Sequence, residues 1–173
     1  MENEKREALA LRCLEAGALA AERAAETPLR WDNAAALADR DLRDLLTREL
    51  LELARDHYAA AQAVLGDAWA EAAALGLGLP MAGEALPERP LIILDSTEDI
   101  RACLPALTAL RRQGGSPAAA VIWNGREEDL RLALDRADIR CHWLIDLESA
   151  AAAALQQGLL DFEDYCRLLP QDG

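Results

Sequence analysis

The sequence predicts an α/β fold: a central, mainly parallel sheet flanked by helices, with further helices at the N-terminus. Three observations predict it. The C-terminal half holds three short strand-like segments: Leu91–Leu94, a continuous apolar run of the kind expected for a buried parallel strand, Ala118–Trp123, a second buried strand, and Ile139–Leu144, a third. Between them lie segments whose apolar residues recur at helical spacing. The connections are short, so strand, helix and strand alternate as right-handed crossovers in one sheet. The 173 residues suit one domain, 1–173, with a core large enough to stand without disulfides or metals.

In chain order, residues 4–24 read as an Ala-rich helix with Leu11, Leu14 and Ala18 on one stripe. Pro28-Leu29-Arg30-Trp31 is a short extended piece, and Asp32-Asn33 a turn. Asp39 caps a second helix whose apolar face carries Leu42, Leu45, Leu46, Leu50 and Leu53. A stretch of small residues follows Tyr58, and Asp67 to Leu75 reads as a third helix stopped by Gly76 and Gly78. Pro80 to Pro90 is a loop rich in Pro and Gly. Leu91–Leu94 is the first buried strand. Ile100, Leu104, Leu107 and Leu110 mark the helix after it, which Gly114-Gly115 ends. Ala118–Trp123 is the next strand, Leu130, Leu134 and Ala137 mark a helix, and Ile139–Leu144 is the third strand. Asp146 starts a helix reaching about Gln157, and Asp161 and Asp164 frame a last short one with Phe162, Tyr165 and Leu169.

The bulk properties exclude several classes of function. Net charge is −13 without any basic block, and such a surface is repelled by nucleic acid and by anionic membranes. No apolar run approaches the roughly 18 residues needed to span a bilayer. The opening Met1-Glu2-Asn3-Glu4-Lys5 lacks the cationic start of a signal peptide, so the expected location is cytoplasmic. All but one of the 18 basic residues are arginine, so chemistry that needs a lysine beyond Lys5 is absent. Aromatic residues make up only 4% of the chain against 52% apolar, which implies a core of Ala, Leu, Ile and Val with Trp31, Trp69, Trp123 and Trp143 as anchors. Cys13, Cys103, Cys141 and Cys166 are isolated, with no Cys-x-x-Cys pair and no histidine at ligand spacing, and read as small core residues. His57 and His142 show no partner in sequence and read as structural.

Ligands of parallel α/β sheets lie beyond the C-terminal ends of the strands. That directs attention to the residues after Leu94, Trp123 and Leu144, and above all to Asp95, Ser96 and Thr97. As residues alone, these three fit either a plain strand end or a pocket for a neutral polar ligand such as a nucleoside or sugar. Ser96-x-x-Asp99 also fits a capping box at the start of the next helix.

Five short segments, in order and spread over nearly the whole chain, resemble orotate phosphoribosyltransferases. They are Glu15-Ala16-Gly17-Ala18-Leu19, Thr27-Pro28-Leu29-Arg30-Trp31-Asp32-Asn33, Gly78-Leu79-Pro80-Met81, Arg111-Arg112-Gln113-Gly114, and Gln157-Gly158-Leu159-Leu160-Asp161-Phe162-Glu163-Asp164-Tyr165. The resemblance implies a type I phosphoribosyltransferase fold, dimers, and a reaction joining orotate to phosphoribosyl pyrophosphate (PRPP) with Mg²⁺.

The parts that reaction needs are altered. In place of the family's E-D-x-x-T-T-G turn stands Leu94-Asp95-Ser96-Thr97-Glu98-Asp99-Ile100, which keeps one acid, Asp95, and loses the threonines and the glycine. A phosphate binds such a turn through free backbone N–H groups and the positive helix end, and two added carboxylates repel it. Ile100 brings a branched side chain where glycine admits close approach. The pyrophosphate turn reads Val64-Leu65-Gly66-Asp67-Ala68, again with an acid. The interval from Met81 to Leu91 is too short for the family's mobile loop and carries neither lysine nor histidine. The segment Ala20-Ala21-Glu22-Arg23-Ala24-Ala25-Glu26 lacks the Lys and Gly of the orotate-contacting hairpin.

These departures lead to the expectation of a catalytically degenerate relative. It would serve as a regulatory or interaction subunit linked to pyrimidine nucleotide metabolism, as a homodimer or with an active relative. No catalytic residue, no metal and no cofactor are expected, and Asp95, Ser96 and Thr97 are the remnant of the ribose- and phosphate-binding turn. Two alternatives stay open: a weak or altered phosphoribosyltransferase, for which PRPP and Mg²⁺ would be needed, and a module binding a small metabolite.

Overall fold

A computed structural model of the chain describes residues 2–25, 28–125 and 128–169, the side chains of Glu2, Glu98, Glu128 and Asp129 excepted. Met1, Glu26, Thr27 and the Glu98 side chain, all used in the sequence reading, lie outside the described residues. The elements run α1 (Glu2–Glu15), β1 (Leu19–Ala21), β2 (Leu29–Trp31), α2 (Asn33–Ala38), α3 (Arg40–Tyr58), β3 (Ala63–Gly66) and α4 (Ala68–Leu77). They continue with β4 (Pro90–Ser96), α5 (Thr97–Arg112), β5 (Ala118–Asn124), α6 (Glu128–Arg136), β6 (Arg140–Asp146), α7 (Leu147–Gln156) and α8 (Phe162–Leu168). The chain is α/β, with a four-stranded parallel sheet flanked by helices.

The chain divides into two units. One comprises Met1–Leu46, Trp123–Arg126 and Ile145–Gly173, the other Thr47–Ile122 and Glu127–Leu144. In the first, α1 packs against α7 and α7 against α8. Arg6 Nη1 donates to Asp146 Oδ2 at 2.8 Å, tying α1 to the start of α7. Buried Asp164 accepts the Ala24 N–H through both oxygens at 3.2 Å and pairs with Arg167, so α8 is fixed to the β1–β2 connection.

The second unit is built on the sheet, in the order β3-β4-β5-β6. Strands β3 and β4 pair in parallel with Ala63 opposite Pro90 and Gly66 opposite Ile93. Alternation along the strands sends Ile92, Leu94, Ala119 and Val121 to one face, where Ile100 and Leu107 of α5 and Leu130 and Leu134 of α6 complete a buried cluster. Leu91, Ile93, Ala120 and Ile122 of the opposite face are buried as well, which is why these strands read as continuous apolar runs. Helix α4 lies against β3 and β4 with Trp69, Ala70 and Ala73 buried. Pro105 sits inside α5; it has no N–H to give the carbonyl of Arg101, so the helical ladder misses one rung there.

Acidic residues do much of the local folding. Asp32, Asp39, Asp67, Asp146 and Asp161 accept backbone N–H groups of Ala35, Leu42, Trp69, Ser149 and Asp164 at 3.0, 2.8, 3.3, 2.8 and 2.9 Å, one at each helix start. Each such cap contributes about 1 kcal/mol. Five of the acids behind the net charge of −13 are therefore structural.

Two sequence expectations need correction. The helix expected over 4–24 stops at Glu15. Gly17 takes φ +73°, its N–H donates to Leu14 O and that of Ala18 to Cys13 O, and the chain turns into β1. Leu19–Ala21 then pairs antiparallel with Leu29–Trp31, so pairing overrides the helical preference of alanine. The second correction is β3: the small residues after Tyr58 include an unforeseen strand, Ala63–Gly66, at the edge of the sheet.

Gly66 ends that strand under the tightest constraint in the second unit. Its φ is +144°, and a Cβ added there would lie 2.1 Å from the Ile93 carbonyl oxygen and 2.8 Å from Ala70 Cβ. Gly66→Ala is therefore expected to cost about 3 kcal/mol or more in urea unfolding, from backbone strain and overlap together. Gly83→Ala, where an added Cβ meets nothing within 4 Å, serves as the control and should change stability little. A loss under about 1 kcal/mol for Gly66→Ala would contradict the close strand approach.

Candidate functional site

Asp95 and Ser96 close β4, and Thr97 opens α5 with its side chain buried. The strand end is less exposed than the sequence suggested. Asp95 is half-buried, and its Oδ1 is fully enclosed without a hydrogen-bond partner among the described residues. Burial pushes the Asp95 carboxyl up to about 7, helped by a hydrogen bond with Asp99 and by the negative charges of Asp99 and Asp67, against a bond from the Ser96 backbone that lowers it.

The capping box expected of Ser96 and Asp99 does not form. Ser96 makes no side-chain cap to the helix; its hydroxyl instead donates to Asp99 Oδ2 at 3.2 Å. In a cap the serine oxygen would accept a backbone N–H, whereas here the hydroxyl donates its proton to the carboxylate. Ile100, in the position the resemblance gives to glycine, is fully buried in the cluster between β4 and α5. Its replacement serves the core and leaves no space for a ligand at that point.

The other strand ends are occupied by structure. After β3, Asp67 is turned onto α4 as its N-cap. After β6, Asp146 is shared between the start of α7 and Arg6. After β5, Asn124 and Gly125 are half-buried, and the residues that follow lie outside the described ones. The Met81–Leu91 interval is anchored at both ends against β3: Ala82 N donates to Val64 O at 2.6 Å and Gln62 N to Arg89 O at 2.9 Å. The hairpin whose Lys and Gly are missing does exist in backbone form, as β1 and β2.

A second group of side chains lies at the opposite end of the sheet and was not foreseen. The rings of His57 and His142 stack at 4.0 Å and 12°. The Tyr58 hydroxyl reaches His142 Nδ1 at 2.6 Å and Ala119 O at 2.7 Å. The hydroxyl has one proton and the carbonyl can only accept, so both bonds form together when Tyr58 donates to Ala119 and His142 donates from Nδ1. Sequence reasoning missed the group because 84 positions separate Tyr58 from His142. The cysteines are all free; Cys13 is buried, and Cys103 and Cys141 pack on the cluster of the second unit. Burial pushes the Cys13 and Cys141 thiols up to about 12, which removes them as nucleophiles near neutral pH.

No protein-family model matches the sequence, and no curated protein matches it. Among solved structures the chain is similar to orotate phosphoribosyltransferase from Aeropyrum pernix, with TM-score 0.65, 21% identity, and coverage of 87% of this chain and 98% of that one. It is similar to UMP synthase of Leishmania donovani, with TM-score 0.70, 15% identity, and coverage of 94% of this chain and 41% of that one. A third likeness is to orotate phosphoribosyltransferase of Mycobacterium tuberculosis H37Rv in complex with Fe(III) dicitrate, with TM-score 0.62, 19% identity, and coverage of 84% and 98%. These likenesses show the fold, that of the type I phosphoribosyltransferases.

Asp95 also makes stability depend on pH. Its folded value of about 7 lies above its ordinary 3.8, so folding takes up a proton between those limits and stability falls as pH rises through that window. Asp95→Asn keeps the shape and removes the titration. The variant is expected to match the parent near pH 4 and to melt higher near pH 8. A gain of roughly 2–4 °C would correspond to about 1 kcal/mol. Parallel Tm–pH curves for the two proteins would remove the case for a raised Asp95 carboxyl.

Proposed function

We propose that this chain, on a type I phosphoribosyltransferase fold, has lost PRPP turnover and acts as a non-catalytic regulatory or interaction subunit linked to pyrimidine nucleotide metabolism. Its partner is a second copy of itself or an active relative, and its place is the cytoplasm. One observation carries the reading: Asp99, an acid that the family's turn lacks, stands in the turn that the resemblance assigns to the 5′-phosphate, where it accepts from Ser96. A phosphate dianion there meets acidic side chains, each costing about 1 kcal/mol at 4 Å in water and about 4 kcal/mol at the effective dielectric near a protein surface. The N-terminus of α5 offers less than this in return, roughly 0.3–1 kcal/mol for a typical exposed anion. Repulsion therefore wins.

Supporting observations point the same way. Ile100 fills the core where a glycine would admit phosphate, and Asp67 caps α4. The proposed role involves no Mg²⁺ step. The link to pyrimidine metabolism draws on the likeness to orotate phosphoribosyltransferases and UMP synthase. Among the described residues no helix is long and apolar enough to cross a membrane, and the net charge of −13 disfavours nucleic acid as a partner.

A second reading is favoured by the enclosed, unpartnered Asp95 Oδ1. Such an oxygen would accept a hydroxyl of a neutral sugar or nucleoside once the β4–α5 turn opens to expose Asp95, Ser96 and Thr97. Thermal stabilisation by uridine, but not by UMP, would single out this reading.

Titration calorimetry with PRPP and Mg²⁺, beside a working orotate phosphoribosyltransferase, tests the main proposal. The expected result is no saturable binding at the turn up to millimolar PRPP and no orotate-dependent turnover. Micromolar binding that Asp95→Ala abolishes, accompanied by turnover, would overturn it and establish a weak enzyme.

A further inference from the structure

The histidine and tyrosine group borders a recess of about 40 Å³ at the N-terminal ends of the strands, within the second unit. It is lined by His57 and Tyr58 at the end of α3, Arg89 and Pro90 at the start of β4, Ser116 before β5, and Arg140 at the start of β6. One water needs roughly 10–15 Å³ on this measure, so the space takes about three waters or one tetrahedral oxyanion.

Its charge runs against that of the chain. Acids outnumber bases by 31 to 18, yet no acidic residue lines this recess and two arginines do. Arg140 lies with its Cζ 5.8 Å from the Tyr58 ring centroid and donates to the His57 carbonyl at 3.4 Å. That bond occupies a carbonyl at the C-terminal end of α3, where the helix dipole would otherwise oppose an anion. Among the described residues neither Arg89 nor Arg140 has a carboxylate partner. Ser116 adds a hydroxyl donor, and His57 adds an imidazole held flat by its stack on His142. Two arginines bordering one recess, with a serine and an imidazole beside them, supply the kinds of donor that bind a phosphate group.

We propose that this recess is an oxyanion site, with Arg89 and Arg140 as its binding arms and a phosphate group as its ligand. It lies at the other end of the sheet from the β4–α5 turn and does not rest on the function proposed above. The phosphate is either the free ion or the terminal group of a larger metabolite.

His57 and His142 are the only histidines in the chain, so their imidazole C–H signals in an NMR spectrum report on the recess without crowding. Inorganic phosphate titrated at fixed pH and ionic strength, with chloride as the replaced ion, should give a saturable shift of the His57 signals. Arg89→Gln and Arg140→Gln should each weaken binding at least tenfold. Arg140 packs on Tyr58, so its variant carries a risk to folding; Arg89 is exposed, and its variant carries the test alone if needed. Glycerol phosphate run in the same way identifies the source: binding as tight as that of phosphate assigns a phosphorylated metabolite, and binding of phosphate alone assigns the free ion. A linear shift, an equal response to chloride, or an unchanged constant in Arg89→Gln overturns the proposal. The same variant separates the two sites in calorimetry, because PRPP heat that disappears in Arg89→Gln arises in the recess and leaves the reading of the β4–α5 turn intact.

Discussion

From Leu91 to Leu94 the residues of β4 are buried on both faces, and a buried amide must find a partner within the protein. Those partners are β3 on one side and β5 on the other, so both neighbours must run close and parallel to it. The covered faces then require α4 against one side and α5 with α6 against the other. Much of the second unit follows from this requirement. Gly66 is glycine because β3 ends against the Ile93 carbonyl, and Ile100 is apolar because α5 must seal the cluster over Ile92 and Leu94. The chemistry at the strand end is shaped by the same burial, since Asp95 is drawn far enough from water to keep a proton near neutrality.

The parts of this architecture that were legible in the sequence are those with strong local signals. β4 and β5 stood out because strands covered on both faces lose their alternation and become apolar runs. Asp39, Asp67, Asp146 and Asp161 announced helix starts because a short side-chain acceptor serves the first unpaired N–H groups. The hidden parts were elements whose identity is decided across space. Ala63-Val64-Leu65-Gly66 is a strand only because Pro90-Leu91-Ile92-Ile93 lies beside it, and Leu19-Ala20-Ala21 only because Leu29-Arg30-Trp31 does.

The candidate sites divide along the same line. Asp95 could be located in the sequence because it directly follows an apolar run, whereas its dependence on Asp99 and the enclosure of Oδ1 are products of folding. Ser96 and Asp99 carry the right spacing for a capping box, yet the hydroxyl chose the carboxylate once both were brought together. Nothing local in His57, Arg89, Ser116 and Arg140 links them. They meet because the parallel topology gathers the N-terminal ends of three strands at one edge, beside the end of α3.

Pro105 gives the β4–α5 turn a mechanical character of its own. With no amide to reach the Arg101 carbonyl, α5 is joined less firmly at that level than a continuous helix would be. The missing rung divides α5 into a segment held to the core by Ile100 and one held by Leu107, and amide exchange along this one helix should occur in two regimes instead of one. Fraying of the first segment would return Asp95 to water and release its proton without disturbing the strands beneath. The acid pair thus joins a fixed strand end, which carries Asp95, to the first turn of α5, which carries Asp99.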